Sequence, residues 1–424
     1  MFKNQTNEVM MQELLSFLET SYTAYQATEN ACRMLLAAGF CELDEDGTWE
    51  LAKGGRYFVT RGGSALAAFV CGDAREGYKI AASHTDSPAL KLKASPALAE
   101  GGVTRLNTES YGGGLYYSYF DRPLRLAGRV VREEGGALVS HPYVSDFLVT
   151  LPSLAIHLNR DANKSFSPDF QRDLPFLSLG TAQFDKIAGG AAAFDLYAVP
   201  AERPYLWGAD NEFLSSPRID NLVSVYASLA SLTEGAEGMC VAACLDNEEV
   251  GSLTRQGAGG DFLSAVLKRI AAAQGLGTQE YAAALARSFC LSLDGAQGFH
   301  ASYPEKYDPA ERAYLGKGVA LKLHAGAAYT TDALSAAAVR KLFALAGAPL
   351  QNFYNRSTMR SGSTLGAIGL SQATVLSADL GVPQLAMHSA VETMALSDAE
   401  ALHKGLRSFW THRVRVRSDR VEIG

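Results

Sequence analysis

Five apolar, strand-like runs lie far apart along the chain, and a histidine or a carboxylate follows each of them. YKIAAS leads into His84-Thr85-Asp86, SSPRI into Asp220-Asn221, VAACL into Asp246-Asn247-Glu248-Glu249, FCLSL into Asp294 and GVPQLAM into His388. In open α/β sheets, ligands gather beyond the carboxyl ends of the strands. The pattern therefore predicts a fold that brings His84, Asp220, Glu249, Asp294 and His388 around one site.

The rest of the chain agrees with an α/β class but divides into segments. Apolar positions recur at helical spacing in VMMQELLSFL and ATENACRMLLAAGF, which predicts helices over 9–39 with Gly39 as the stop. Strands follow in RYFVTRGGSALAAFVCG, with a turn at Gly62-Gly63, and in YKIAASHTDSP. From about 92 to 204 the pattern changes to short β-like runs broken by Gly and Pro, such as RLAGRVVREEGGALVSHPYV and AAFDLYAVP. After 205 helices and strands alternate again, and the last helix, SDAEALHKGLRSFWTH, has Ser397 as its expected N-cap. The expectation is a mixed β-sheet flanked by helices, built from 1–91 and 205–424, with a β-rich second domain of 92–204 inserted into it.

Composition narrows the function classes. At 424 residues, two domains are expected. With 47% hydrophobic and 20% charged residues the chain has an ordinary globular balance. A net charge of -7 speaks against general nucleic-acid binding. No signal-peptide pattern opens the sequence and no run reaches about 18 apolar residues, so neither export nor a membrane span is expected. Six dispersed cysteines suit a reducing cytoplasm, with Cys240 and Cys244 read as buried thiols.

The residue types point to metal chemistry. Zinc takes imidazole nitrogen and carboxylate oxygen. Two zinc ions bring more positive charge than three carboxylates cancel, and a bound water then has a pKa near ~7. A metal pair ~3.5–4 Å apart needs a bridging carboxylate. It also needs a general base that is not itself a ligand. The neighbouring Glu248 and Glu249 side chains leave the backbone in different directions and can divide such roles. Asp86, two residues after His84, is placed to orient the imidazole. Each residue alone has an ordinary reading: His84 as a core or surface histidine, Asp220 or Asp294 as a helix cap, Glu248-Glu249 as a solvated turn. The ordered set of five carries the inference.

The sequence resembles the aspartyl aminopeptidase family of dinuclear zinc exopeptidases over nearly its whole length. The resemblance rests on ASHTDSP (82–88), YGGGLYYSYFDRPLRLAGRV (111–130), LAIHLNRDANK (154–164), SPRIDNL (216–222), DNEEVGS (246–252) and GVPQLAMHS (381–389), with further fits in GGRYFVTRGGSALAAFVCG (54–72) and RSGSTLG (360–366). It implies that His84 and Asp294 bind one metal, that Glu249 and His388 bind the other, and that Asp220 bridges them. Glu248 would be the general base and Asp86 would orient His84. The metal is expected to be zinc, two per subunit, with cobalt or manganese able to share such ligands. The substrates implied are peptides with a free N-terminal Asp or Glu. Lys317 would meet the acidic side chain, His300 would line the substrate site, and His157 would reach a neighbouring subunit's active site within a tetrahedral dodecamer. The segment DGAQGFHAS departs from the family's usual Asp-x-Ala-His-Ala-x-His-Pro: Gln297 replaces a histidine and Ala301 the proline. No expected metal ligand is lost, so the departure bears on substrate preference.

Three other readings are weighed. One is an aminopeptidase of broader or neutral specificity. Another is a metal-dependent deacylase or carboxypeptidase, which DNEEVGS and the inserted domain disfavour. The third is a non-catalytic scaffold, which would ordinarily have lost a ligand or the base. No G-x-S-x-G nucleophile elbow is present, and the glycine cluster at 112–114 lacks the strand-loop-helix setting of a nucleotide site.

Overall fold

The computed structural model describes residues 2–100, 102–178, 190–359 and 375–424. RSGSTLG at 360–366 lies outside the described residues. Helices Phe2–Thr20 and Ala24–Ala37 occupy the predicted helical stretch, and Gly39 follows with φ 78°. The hairpin of strands Arg56–Arg61 and Ala65–Val70 turns at Gly62 and Gly63, with φ 65° and 71°. Positive φ at both positions makes the tight turn whose twist matches a hairpin, and glycine adopts it without a Cβ penalty.

A nine-stranded mixed sheet organises the larger domain. Its order is Cys41–Glu42, Arg56–Arg61, Ala65–Val70, Met239–Leu245, Tyr78–His84, Phe289–Leu293, Leu376–Gly381, Val319–Leu323 and Leu350–Tyr354. The four central strands, Met239–Leu245 to Leu376–Gly381, run parallel. Their carboxyl ends therefore open on one edge of the sheet.

Side chains on each central strand alternate between two apolar layers. Cys240, Ala242 and Cys244 join the layer containing Phe289, Leu342, Leu402 and Trp410, whereas Val241, Ala243 and Leu245 join the one with Phe262, Leu267 and Ile270. Both faces being covered by helices explains why these strands read as continuous apolar runs. Helices Ile219–Thr233, Ala333–Leu345 and Leu396–Thr411 supply the first layer, and Phe262–Ala273 the second. Cys240 and Cys244 are buried thiols.

The inserted β-rich domain is a six-stranded antiparallel sheet, ordered Ala137–Val144, Leu124–Glu134, Ala191–Pro200, Ala89–Glu100, Val103–Tyr111 and Phe176–Ser178. It has its own core of Leu90, Leu106, Leu126, Val130, Leu196 and neighbours. Its first strand leaves the larger domain directly after His84–Pro88, so the insertion begins at the site's edge.

Three local expectations change. SSPRI contributes Phe213–Ser216 to a separate five-stranded sheet, and Asp220 lies in the first turn of Ile219–Thr233 and not beyond a strand of the large sheet. GVPQLAM likewise contributes Pro383–Leu385 to that smaller sheet. Helix Leu396–Thr411 starts one residue before Ser397, with Ala395 at the cap. Asp398 in its first turn instead accepts the N–H groups of Gly316 and Gly318, each at 2.7 Å.

Candidate metal centre

His84 ends its parallel strand, and Glu248-Glu249 and Asp294 follow two more. Asp220 arrives from the helix and His388 from the loop after Pro383–Leu385. Their donor atoms form overlapping groups: His84, Asp220 and Asp294; His84, Glu248 and Glu249; Asp220, Glu249 and His388; within each, the atoms lie within 4.8 Å of one another.

Asp220 belongs to two of these groups. Its Oδ1 lies 3.5 Å from His84 Nε2 and its Oδ2 lies 3.5 Å from His388 Nε2. Asp294 Oδ1 is 3.6 Å from His84 Nε2, and Glu249 Oε1 is 3.3 Å from His388 Nε2. The set thus divides into His84 with Asp294 and His388 with Glu249, with one oxygen of Asp220 toward each. Ring orientation is set from behind: Nδ1 of His84 faces the Asp86 carbonyl at 3.1 Å, and Nδ1 of His388 faces the Gly113 carbonyl at 3.0 Å.

Asp86 touches more than His84. Its Oδ1 is 3.4 Å from His84 Nδ1 and accepts the N–H of Glu248 at 3.1 Å. Its Oδ2 accepts the N–H of Glu249 at 3.2 Å and the Tyr111 hydroxyl at 2.7 Å. One carboxylate therefore fixes the turn that presents both glutamates.

The electrostatics show a cluster short of positive charge. Burial, reinforced by nearby carboxylates and opposed by His84, pushes Glu248 up to about 7. Burial and the charge of Asp220 drive Glu249 well above the usual carboxylate range, although His388 opposes them. Burial also works against charge on Asp220, but His388 and His84 outweigh it and hold that carboxyl well below its ordinary value. Burial lowers both imidazoles, yet Asp220 with Asp294 lifts His84 well above its ordinary value, and Asp220 with Glu249 lifts His388 to about 10.

Asp220 Oδ1 and Glu249 Oε1 are buried with no hydrogen-bond partner. Buried polar oxygens are ordinarily satisfied, so these two are oriented for something other than protein donors. Imidazole nitrogens and carboxylate oxygens are the donor types zinc takes. The residues fit a metal.

Two side chains at the site were not anticipated from sequence. Lys322, on strand Val319–Leu323, is buried and places Nζ 3.3 Å from Asp294 Oδ2. Burial disfavours its charge, but Asp294, with Tyr329, Asp379 and Asp220, outweighs that and favours the ammonium. Glu392 is buried and accepts the N–H of Asp220 at 2.9 Å and of His388 at 2.6 Å. Burial with the Asp220 charge pushes it up to about 8. Lys322 sits in the apolar run VALKL and Glu392 in AVETMA, where an isolated charge was the available signal. The expected substrate-site residues are all exposed. Lys317 and His157 are exposed, and His300 is exposed with its ring 5.0 Å from that of Tyr303.

Comparison with known proteins decides the family. The model described as aminopeptidase I zinc metalloprotease (M18) matches residues 17–188 and 183–410. The chain belongs to the M18 family. It is a metal-dependent aminopeptidase, and zinc is the family's metal. Among M18 relatives, a probable M18 family aminopeptidase 2 of Clostridium acetobutylicum is 37% identical over 422 residues, spanning 94% of this chain and 98% of the relative. Of solved M18-like structures, Ape4 in complex with Nbr1 superposes with a TM-score of 0.90 at 31% identity, covering 96% of this chain and 86% of that one. The dodecameric mApe1 of S. cerevisiae shares the fold, with a TM-score of 0.82 at 24% identity over 96% and 97% of the two chains.

Proposed function

We propose that this M18 aminopeptidase binds two zinc ions per subunit and removes N-terminal Asp or Glu from peptides. The observation that carries the two-metal reading is the division of the Asp220 carboxylate between His84 and His388. His84 and Asp294 would hold one ion, Glu249 and His388 the other, with Asp220 bridging; cobalt or manganese suits the same donors. When bound, such a pair polarises the scissile carbonyl and acidifies water.

The chain's own groups supply the rest. Glu248 is held at the donor cluster by its backbone bond to Asp86. It would take the proton from the attacking water and return it to the leaving amine nitrogen as the C–N bond breaks. Asp86 and Tyr111 keep the turn in place.

An acidic substrate side chain needs a cation in a partly desolvated setting. The segment 317–322 offers exposed Lys317 at its start and buried Lys322 at its end, the latter beside Asp294. We assign the acidic preference to this segment, with Lys322 the stronger contributor, and keep His300 as a substrate-site residue. We divide the chain into 1–91 with 205–424 and an inserted 92–204; the separate core of the insert supports two units, although Leu90 and the strand Ala89–Glu100 already belong to the insert. We read the insert as the dimerisation and lid domain. Between 152 and 164 every residue is exposed, including Leu154, Ile156 and Leu158 beside His157. Exposed apolar side chains in a row favour docking on another copy, which supports a homo-oligomer, a dodecamer by analogy with mApe1, in which His157 approaches a neighbouring active site. Six unpaired cysteines favour the cytoplasm. Among the described residues no helix is long and apolar enough to cross a membrane.

The test is the rate of release of N-terminal Asp, Glu, Leu and Ala from matched peptides, before and after chelation and zinc return. Metal-dependent activity led by Asp or Glu supports the whole reading. If Leu or Ala leads, a broader aminopeptidase replaces it. If zinc-restored protein cleaves nothing, the chain is a scaffold that kept the fold.

A further inference from the structure

We propose that Glu392 is a positioning residue whose single buried carboxylate holds the backbones of Asp220 and His388 in the relative placement that lets both serve one metal ion. The inference rests on the two-metal reading above.

Glu392 opens the strand Glu392–Ala395 and pairs with Ser216 in antiparallel register. That register places it between two chain segments that meet nowhere in sequence. Four residues beyond Ser216 stands Asp220, whose N–H donates to Glu392 Oε2 at 2.9 Å. Four residues before Glu392 stands His388, whose N–H donates to Oε1 at 2.6 Å. Each carboxylate oxygen is thus committed to one ligand-bearing segment.

His388 needs such a tether. Its φ is 68°, in the left-handed region that residues with side chains seldom occupy. Its side chain is 28% exposed, so packing does not immobilise the ring. What orients it is the contact from Nδ1 to the Gly113 carbonyl and the anchored backbone N–H. Asp220 is buried, but its Oδ1 lacks any hydrogen-bond partner, so its carboxylate is aimed by the backbone.

The carboxylate is suited to this task in a way close analogues are not. A carboxylate accepts at both oxygens. Glutamine keeps one acceptor and turns an N–H₂ toward the other N–H. Aspartate is shorter by a methylene and cannot span both donors. Partners that orient ligands in this indirect way typically change metal affinity about 10–100-fold when altered.

The experiment uses the full chain, stripped with a chelator, dialysed, and titrated with zinc against a competing chromophoric chelator. Wild type should take two equivalents, and His388→Ala identifies which of them depends on His388. In Glu392→Gln that equivalent should bind about 10–100-fold more weakly, and the other, which shares Asp220 but not His388, should weaken less. Melting temperatures separate positioning from mere structure: the stripped variant should melt near stripped wild type, while its rise on adding zinc shrinks. Wild-type affinities for both equivalents, or an equal fall in melting temperature with and without zinc, would overturn the proposal. If stripped Glu392→Gln does not fold, Glu392→Asp takes its place; it should lose part of the affinity, and unchanged affinity would again overturn the role. A wild-type protein that takes only one equivalent defeats the two-metal reading itself, and with it this inference.

Discussion

The backbone N–H of Glu248 donates to Asp86 Oδ1 at 3.1 Å, so the residue expected to orient a histidine also anchors the proposed general base. Asp86→Asn keeps one acceptor oxygen and loses the charge. Charged hydrogen bonds contribute about 1.5–3 kcal/mol each, so kcat should fall about 10–100-fold. KM should change little, because the turn and not the substrate contact is disturbed. Steady-state kinetics on one good substrate check this; a KM effect with normal kcat would place Asp86 in substrate binding instead.

Glu248→Gln removes the proton acceptor and keeps the side chain's shape. Turnover should drop by roughly two to four orders of magnitude, the usual worth of a positioned acid–base group. Bound zinc, measured by elemental analysis, should stay at the wild-type ratio. Near-normal turnover would remove Glu248 from proton transfer.

Asp220→Ala takes away an oxygen from both halves of the cluster. The variant should retain little zinc after dialysis and show no activity that zinc restores at micromolar level. Retention of two ions would count against the bridge.

Lys322→Met and Lys317→Met separate the two cations of one segment. The ratio of Asp to Leu release should fall about 10–100-fold for Lys322→Met, in line with a lost charge-assisted contact of ~1.5–3 kcal/mol. Lys317→Met should lower the ratio less. Equal losses on Asp and Leu substrates in the Lys322 variant would make its role purely one of holding Asp294.

The metal-free protein should become less stable as pH rises. Glu248 and Glu392 are raised from 4.5 to about 7 and about 8, and His388 from 6.5 to about 10. Each binds its proton more tightly folded than unfolded. Its stabilisation is complete below the unfolded value and is lost as pH climbs through the folded one. Asp220, which is lowered, acts in the opposite sense, but only below its ordinary value of 3.8. Thermal melts of stripped protein should therefore decline from about pH 5 to about pH 9. Zinc displaces the same protons, so the rise it causes should grow over that range. A zinc effect independent of pH would contradict the protonation scheme.

Much of this site was legible in the sequence because parallel strands buried on both faces read as apolar runs, and a polar residue just past such a run must emerge at the sheet's edge. His84, Glu249 and Asp294 follow that rule directly. Asp220 and His388 were reached by the same rule from SSPRI and GVPQLAM, although the strands before them belong to a smaller sheet. Glu392 and Lys322 carried too little signal, since one charge in a short apolar run says nothing about what lies across a sheet.

By itself, the sequence determined the class of fold, the β-rich insertion and the metal-ligating chemistry, because periodicity and residue type are local properties. Only the tertiary structure decided which oxygen of Asp220 faces which histidine, which lysine is buried beside Asp294, and which carboxylate ties Asp220 to His388. Those are contacts between segments far apart in the chain. They depend on strand order and register, which hydrogen bonding across the sheets sets and no local pattern encodes.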